Sequence, residues 1–193
     1  MEKKNNKRKK IIEISLRLFV ERGFHGTPTS MIAKEAGIAT GTLFNYFKTK
    51  DILINEVYKE VELQQKENVL KDLDSMKTSK MKLKKIWGNL ILWGLENPEK
   101  RKCINYFSNS SFISDETKRD IKKNHKFLLS IFKEIIKKKG LKDTNELILI
   151  LNFIGACIST GKYFHITKET YNEDISNEPF ERFCRSIDLS DED

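Results

Sequence analysis

Proline, glycine and cysteine are all scarce in this chain of 193 residues, which holds three prolines, nine glycines and three cysteines. So few breakers exclude a turn-rich β-sandwich or barrel, in which many short strands need turn residues at regular intervals. Cys103, Cys157 and Cys184 are an odd, widely separated set in apolar surroundings. They read as reduced core cysteines of a cytosolic protein. His25, His125 and His165 are solitary as well. No two potential ligands have metal spacing, so neither a metal site nor a cofactor is expected. Paired carboxylates, a phosphate-binding glycine loop and a nucleophile elbow are missing, which leaves an enzyme without chemistry to stand on. No catalytic residue is assigned. No apolar run reaches the roughly 18–20 residues of a membrane span, and the basic start runs into an amphipathic helix rather than a cleavable leader. A cytoplasmic protein with no membrane partner is the expectation.

What the chain does have is long lysine- and glutamate-rich amphipathic stretches, with a third of its residues charged. They point to an all-α protein of about nine helices, long enough for two units. We expect an N-terminal three-helix DNA-binding unit over residues 1–50 and a helical regulatory and dimerisation unit over 51–193. A first helix fits Lys7–Arg22, with Ile11, Ile14, Ser15, Leu18 and Phe19 inward and Gly23 as its stop. The most informative stretch follows, Thr27–Asp51, TPTSMIAKEAGIATGTLFNYFKTKD. Thr27 is suited to cap a helix that has Pro28 in its first position, and Gly37 supplies the left-handed residue that ends it. Ile38, Leu43 and Phe47 point back inward. Thr40, Gly41, Thr42, Asn45 and Tyr46 are left outside, on a helix too short to exist for packing alone. That is a helix-turn-helix, which presents its second helix to the DNA major groove.

Each outward residue has a chemistry to offer. Thr40 and Gly41 open the second helix, where a hydroxyl, a methyl or close backbone approach can read base edges. Thr42, Tyr46 and Lys50 suit phosphates, and Lys50 also stands at a helix N-terminus, which favours an anion. Thr29 and Ser30 can touch the backbone or an adjacent base, or merely cap their helix. Charge agrees. Residues 1–50 carry 11 lysines and arginines against 4 glutamates, and so hold seven of the chain's eight net positive charges. Lys3–Lys10 is either a solvated tail or a salt-sensitive arm for DNA.

The ordered combination FVERGF, IAKEAG, GTLF and YFKTKDIL resembles the TetR family of bacterial transcriptional regulators, over about residues 8–55. The resemblance assigns DNA contact to the same outward positions, and it implies a ligand cavity among helices 5 to 8 of the second unit. Two departures stand out. Phe44 occupies a position that is usually tyrosine in the family, and Ala39 one that is usually a capping serine. Thr40 is then the substitute cap, which would leave it less free to read a base.

Beyond residue 50, helices are expected at about Lys50–Leu73, Met76–Glu96, Pro98–Phe107, Ser114–Lys139, Thr144–Lys162 and Asn177–Asp188. Thr144–Lys162 is apolar nearly all round and is therefore expected to be buried. As candidate ligand-lining residues we take Trp87, Asn89, Leu90, Phe107, Phe127 and Asn152; the two asparagines lie within apolar runs and need partners if buried. Gly155 and Ser159 let a partner helix approach closely, and Phe180, Phe183 and Ile187 form a stripe that a small unit hardly needs for its own core. Both features point to a homodimer interface. The expected function is a transcriptional repressor, released from an inverted-repeat operator in double-stranded DNA by a small apolar or aromatic effector. The alternative is an architectural or partner-recruiting DNA-binding protein with no effector.

Overall fold

The computed structural model describes residues 2–141 and 144–193, with side chains from Asn5 onward. Lys3 and Lys4 of the expected basic arm therefore have side chains outside the described residues. Among the described residues there are ten α-helices and no strand: α1 (Glu2–Arg22), α2 (Thr29–Ala36), α3 (Thr40–Tyr46), α4 (Lys50–Val69), α5 (Ser79–Glu96), α6 (Pro98–Phe107), α7 (Asp115–Asn124), α8 (Lys126–Lys139), α9 (Glu146–Thr167) and α10 (Glu173–Ser186). A single 3-10 turn, Leu73–Ser75, follows α4. Two compact units share the chain, one of Met1–Gln64 with Pro98–Ile121, the other of Gln65–Asn97 with Lys122–Asp193. Compactness thus divides the chain differently from the expected cut after residue 50. The first unit takes in the first fifteen residues of α4, and also α6 and most of α7.

In the first unit, α1 packs on α2 and α6, and α2 packs on α3. Ile11, Leu18, Phe19, Ile32, Leu43, Phe47 and Leu53 are almost fully buried, the apolar stripes that helical spacing predicts. The turn from α1 to α2 is tighter than a capped helix start requires. Thr27 does not cap α2, because Pro28 takes that position without a side-chain bond. The Thr27 hydroxyl turns inward instead and donates to the carbonyls of Leu18 at 3.1 Å and Gly23 at 2.8 Å. A Cβ at Gly26 would lie 2.3 Å from the Arg22 carbonyl oxygen, so only glycine fits there. Gly37 is left-handed at φ 69°, and the amide of Ile38 donates back to Ala33 at 3.0 Å, the bond that seals a helix end of this kind.

The second unit is built on α5, α8, α9 and α10. Its centre is a run of edge-to-face rings. Trp87 meets Phe153 at 5.7 Å and Phe180 at 5.6 Å, and Phe183 meets Phe153 at 5.4 Å. Edge-to-face pairs contribute roughly 0.5–1.5 kcal/mol beyond their buried area. The Trp87 indole N–H donates to the Ser176 hydroxyl at 2.9 Å and to its carbonyl at 3.1 Å, so the polar edge of the ring is satisfied inside the core. Burial pushes the Cys103 and Cys157 thiols up and takes Cys184 to about 12, which leaves all three protonated and unreactive at neutral pH.

Several boundary expectations change: α1 starts at Glu2 rather than about Lys7, and α4 ends at Val69 rather than about Leu73. The helix expected over Ser114–Lys139 is two helices, broken at His125 with φ −94° and ψ 9°. The break falls between a polar α7 that buries only Thr117 and an α8 that buries Leu128, Ile131, Phe132 and Ile135. The last helix starts at Glu173, four residues before the expected Asn177, because the Asn172 side chain caps it and accepts from the amides of Asp174 and Ile175. Pro179 sits inside that helix and forgoes one backbone bond. Finally, α9 is longer than expected and is not buried all round: Leu147, Ile148, Leu151, Ile158 and Ile166 are exposed. Its 22 residues include a window of mean hydropathy 1.6, long and apolar enough to cross a membrane by length and composition, which corrects the expectation that no run reaches that length. The opposite stripe, Leu149, Phe153, Cys157 and Phe164, lies in the core of the second unit.

Candidate nucleic-acid interface and cleft

α3 has seven residues and is anchored by two of its neighbours' core contacts, through Leu43 within it and Phe47 just after it. That leaves Thr40, Gly41, Phe44 and Asn45 exposed, with Thr42 and Tyr46 half-buried. Ala39 occupies the cap position in extended backbone, φ −68° and ψ 147°, and provides no side-chain bond. Thr40 is therefore the first helical residue and not the substitute cap, so its hydroxyl is available to a base or phosphate. Thr29 and Ser30 open α2 under Pro28 as the cap residue, so neither is committed to capping. Ser30 is exposed and Thr29 half-buried.

Lys50 behaves differently from the expectation. It opens α4, but its ammonium turns inward and donates to the Phe24 carbonyl. Desolvation lowers its pKa. The lysine ties the start of α4 to the turn after α1, and its charge is partly withdrawn from solvent. Other cations of this unit are also occupied: Arg17 with Glu35 and Glu21, and Arg8 with Glu56 while lying 5.5 Å over the Phe47 ring. Lys34 on α2 and Lys48 after α3 are exposed and make no ion pair among the described residues. These two were missed in the sequence reading. The only signal for them was the bulk charge of residues 1–50.

The six candidate ligand residues are not gathered in one place. Trp87 and Asn89 line a cleft of about 340 Å³ in the second unit, together with Leu92, Lys84, Lys85 and Tyr171. Leu90 and Phe127 pack against the core of the same unit. Phe107 belongs to the first unit, where its ring lies 4.2 Å from that of Phe24. Asn152 is exposed on α9. Asn89 has found partners, and they are informative: its amide donates to the carbonyl of Val69, the last residue of α4, at 3.2 Å and to that of Lys71, in the turn that follows, at 3.1 Å. A residue on the cleft wall thus holds the end of α4.

Gly155 and Ser159 are exposed on α9, beside a shallow groove that Ser159, Tyr163, Ile175, Pro179 and Arg182 line with α10. Phe180, Phe183 and Ile187 are not on that surface. They are 0%, 8% and 6% exposed within the chain's own core, because α10 closes the aromatic run around Trp87 and Phe153. The exposed apolar stripe is on α9 instead, Leu147, Leu151, Ile158 and Ile166 at intervals of about one or two turns. A helix apolar on every side carries no periodicity to reveal which stripe stays outside.

Comparison with known proteins adds to this geometry. The family model described as bacterial regulatory proteins, tetR family, matches residues 11–57, from the middle of α1 into α4. The fatty acid metabolism regulator protein of Bacillus subtilis strain 168 is 36% identical over 83 residues, 43% of this chain and 43% of the relative. The chain thus spans less than half the length of that curated relative in the match. Among solved structures, a tetR family transcription regulator from Shewanella sp. PV-4 is 26% identical with a TM-score of 0.79, over 93% of this chain and 97% of that one. The transcriptional regulator FadR of Bacillus subtilis, solved in complex with stearoyl-CoA, has the same fold at 23% identity and a TM-score of 0.72, over 91% of this chain and 96% of that one.

Proposed function

We propose that this chain, which belongs to the TetR family of bacterial transcriptional regulators, is a homodimeric repressor that leaves its operator when a small molecule occupies the second unit. The observation that carries the reading is α3. It is a short helix whose inward residues are anchored and whose outward Thr40, Gly41 and Asn45 are left exposed. Residues 1–50 read DNA in the cytoplasm, with Thr40 and Gly41 at base edges and Thr29, Ser30, Thr42 and Tyr46 on the backbone. Lys34 and Lys48 supply the phosphate attraction that Lys50, held by Phe24, does not. Residues 51–193 hold the effector and the partner subunit. The exposed α9 stripe supports the dimer, with Gly155 and Ser159 at the point of closest approach. Two α3 helices then have to lie about 34–36 Å apart to enter successive major grooves.

The route from effector to DNA runs through α4, which is continuous from Lys50 to Val69 and whose end is gripped by Asn89 from the cleft wall. An occupant that favours one setting of that grip shifts the equilibrium by its differential affinity, typically about 1–3 kcal/mol. The fatty-acid regulator of Bacillus subtilis and the stearoyl-CoA of the solved FadR support an effector with an apolar body. A cleft of about 340 Å³ suits a smaller one. The test is selection of duplexes from a random pool. The expected product is an inverted repeat whose binding weakens steeply with salt, with the Lys48→Ala slope shallower by about one unit and the Thr40→Ala preference altered. Enrichment of no sequence, or of sites lacking two-fold symmetry, refutes the proposal.

A further inference from the structure

The cleft of the second unit has a chemical character of its own. Its accessible apolar wall comes from Leu92, Met76 and Met81, over the buried Trp87 and Phe180, and a Cβ at Gly88 would face into it at ordinary contact distance, 3.5 Å, from the Tyr171 hydroxyl. Its rim bears Lys84, Lys85 and one acid, Glu173. Lys84 reaches Glu173 only at 3.9 Å, and Lys85 reaches Asp72 at 3.4 Å. Both acids are well exposed to water, at 74% and 58%, so neither pair is held tightly and both ammonium groups can turn to another anion. The Tyr171 hydroxyl makes no hydrogen bond to a described residue. Asn177 stands on the same wall with its Oδ1 shielded from solvent and unpartnered among the described residues.

We infer that this cleft binds a compact amphipathic carboxylate, its charge between Lys84, Lys85 and the Tyr171 hydroxyl and its apolar body on Leu92, Met76 and Met81. A carboxylate would replace loose, water-exposed pairs with Glu173 and Asp72 by one shared contact to both ammonium groups, which a neutral molecule cannot do. A long acyl chain joined to a nucleotide exceeds the volume. The inference names the effector class for the repressor reading above and rests on it for its biological meaning, though not for the binding itself.

The experiment titrates hydrocinnamate, hexanoate and the neutral hydrocinnamamide into the full chain. Binding is followed by calorimetry, and by indole fluorescence in a Trp93→Phe background, where Trp87 is the remaining tryptophan. Saturable binding of at least one carboxylate is expected, weaker by about tenfold or more for the amide and for the Lys84→Gln/Lys85→Gln variant. Gly88→Leu, which fills the cleft, is expected to abolish it with the helical spectrum unchanged. No saturable binding of either carboxylate, equal binding of the amide, or indifference to the lysine substitutions overturns the assignment. Release of a selected duplex is measured in parallel by anisotropy. Carboxylate binding that leaves the duplex bound sinks the effector reading while the cleft assignment stands, and the two failures are thereby told apart.

Discussion

Asn89→Ala isolates the link between the cleft and α4. The side chain donates at 3.2 and 3.1 Å to the carbonyls of Val69 and Lys71, and alanine removes both bonds. A net contribution of about 0.5–1.5 kcal/mol per bond sets the loss at roughly 1–3 kcal/mol. Asn89 is half-buried and water can reach part of the freed surface, which favours the lower half of that range, about 1–2 kcal/mol. For a chain of this size, each kcal/mol moves the melting temperature by roughly 2–4 °C, so a fall of about 2–8 °C is expected by circular dichroism. Hydrogen exchange adds the location: amides from Lys66 to Met76 should exchange faster, while those of α1 to α3 keep their wild-type rates. Asn89→Asp, which keeps the size but loses the donor, should repeat the effect. A variant that melts with the wild type and shows unchanged exchange at the end of α4 would falsify the role of Asn89 as its anchor, and with it the proposed path to DNA.

Gly26→Ala should cost roughly 1–3 kcal/mol and weaken DNA binding through α2, because its Cβ meets the Arg22 carbonyl at 2.3 Å; a melt within error of wild type refutes the close approach. Asp193 accepts from Lys139 at 2.6 Å and from the Ser190 amide and hydroxyl, which hold its carboxyl well below the usual range. A depressed pKa contributes stability above the unfolded value of about 4 that is lost as pH falls below it. Asp193→Asn should therefore lower the melting temperature at neutral pH and converge with wild type in strong acid, whereas an equal difference at every pH contradicts the titration. Leu151→Glu with Ile158→Glu should give folded monomers by light scattering, while Phe183→Asp should unfold the chain, since Phe183 lies in its core and the α9 pair outside. An intact dimer of the α9 variant moves the interface elsewhere.

Local signals were legible wherever a backbone rule acts alone. Pro98 after Asn97 starts α6 where expected, and Gly37 ends α2 by the left-handed turn that glycine permits. The role of Thr27 is not legible locally, because a hydroxyl before Pro28 can cap forward or bond backward, and only the fold of α1 brings the Leu18 and Gly23 carbonyls within its reach. Lys50 has the same history: its place at a helix start is local, while the Phe24 carbonyl that captures it is twenty-six residues away. The stripe of Phe180, Phe183 and Ile187 was visible as an apolar face, but which surface it covers depends on α5, α8 and α9. The cleft was the least legible feature, since its wall comes from segments as far apart as Met76 and Phe180.

The sparse anchoring of α3 has a consequence for how such a protein diverges. A helix of seven residues without a side-chain cap cannot persist alone, and its stability is borrowed from Leu43 and Phe47. Thr40, Gly41 and Asn45 are thereby nearly exempt from folding constraints, and surface substitutions of this kind usually change stability by no more than about 0.5 kcal/mol. After gene duplication, two copies could drift apart in the DNA they recognise while sharing one unaltered scaffold.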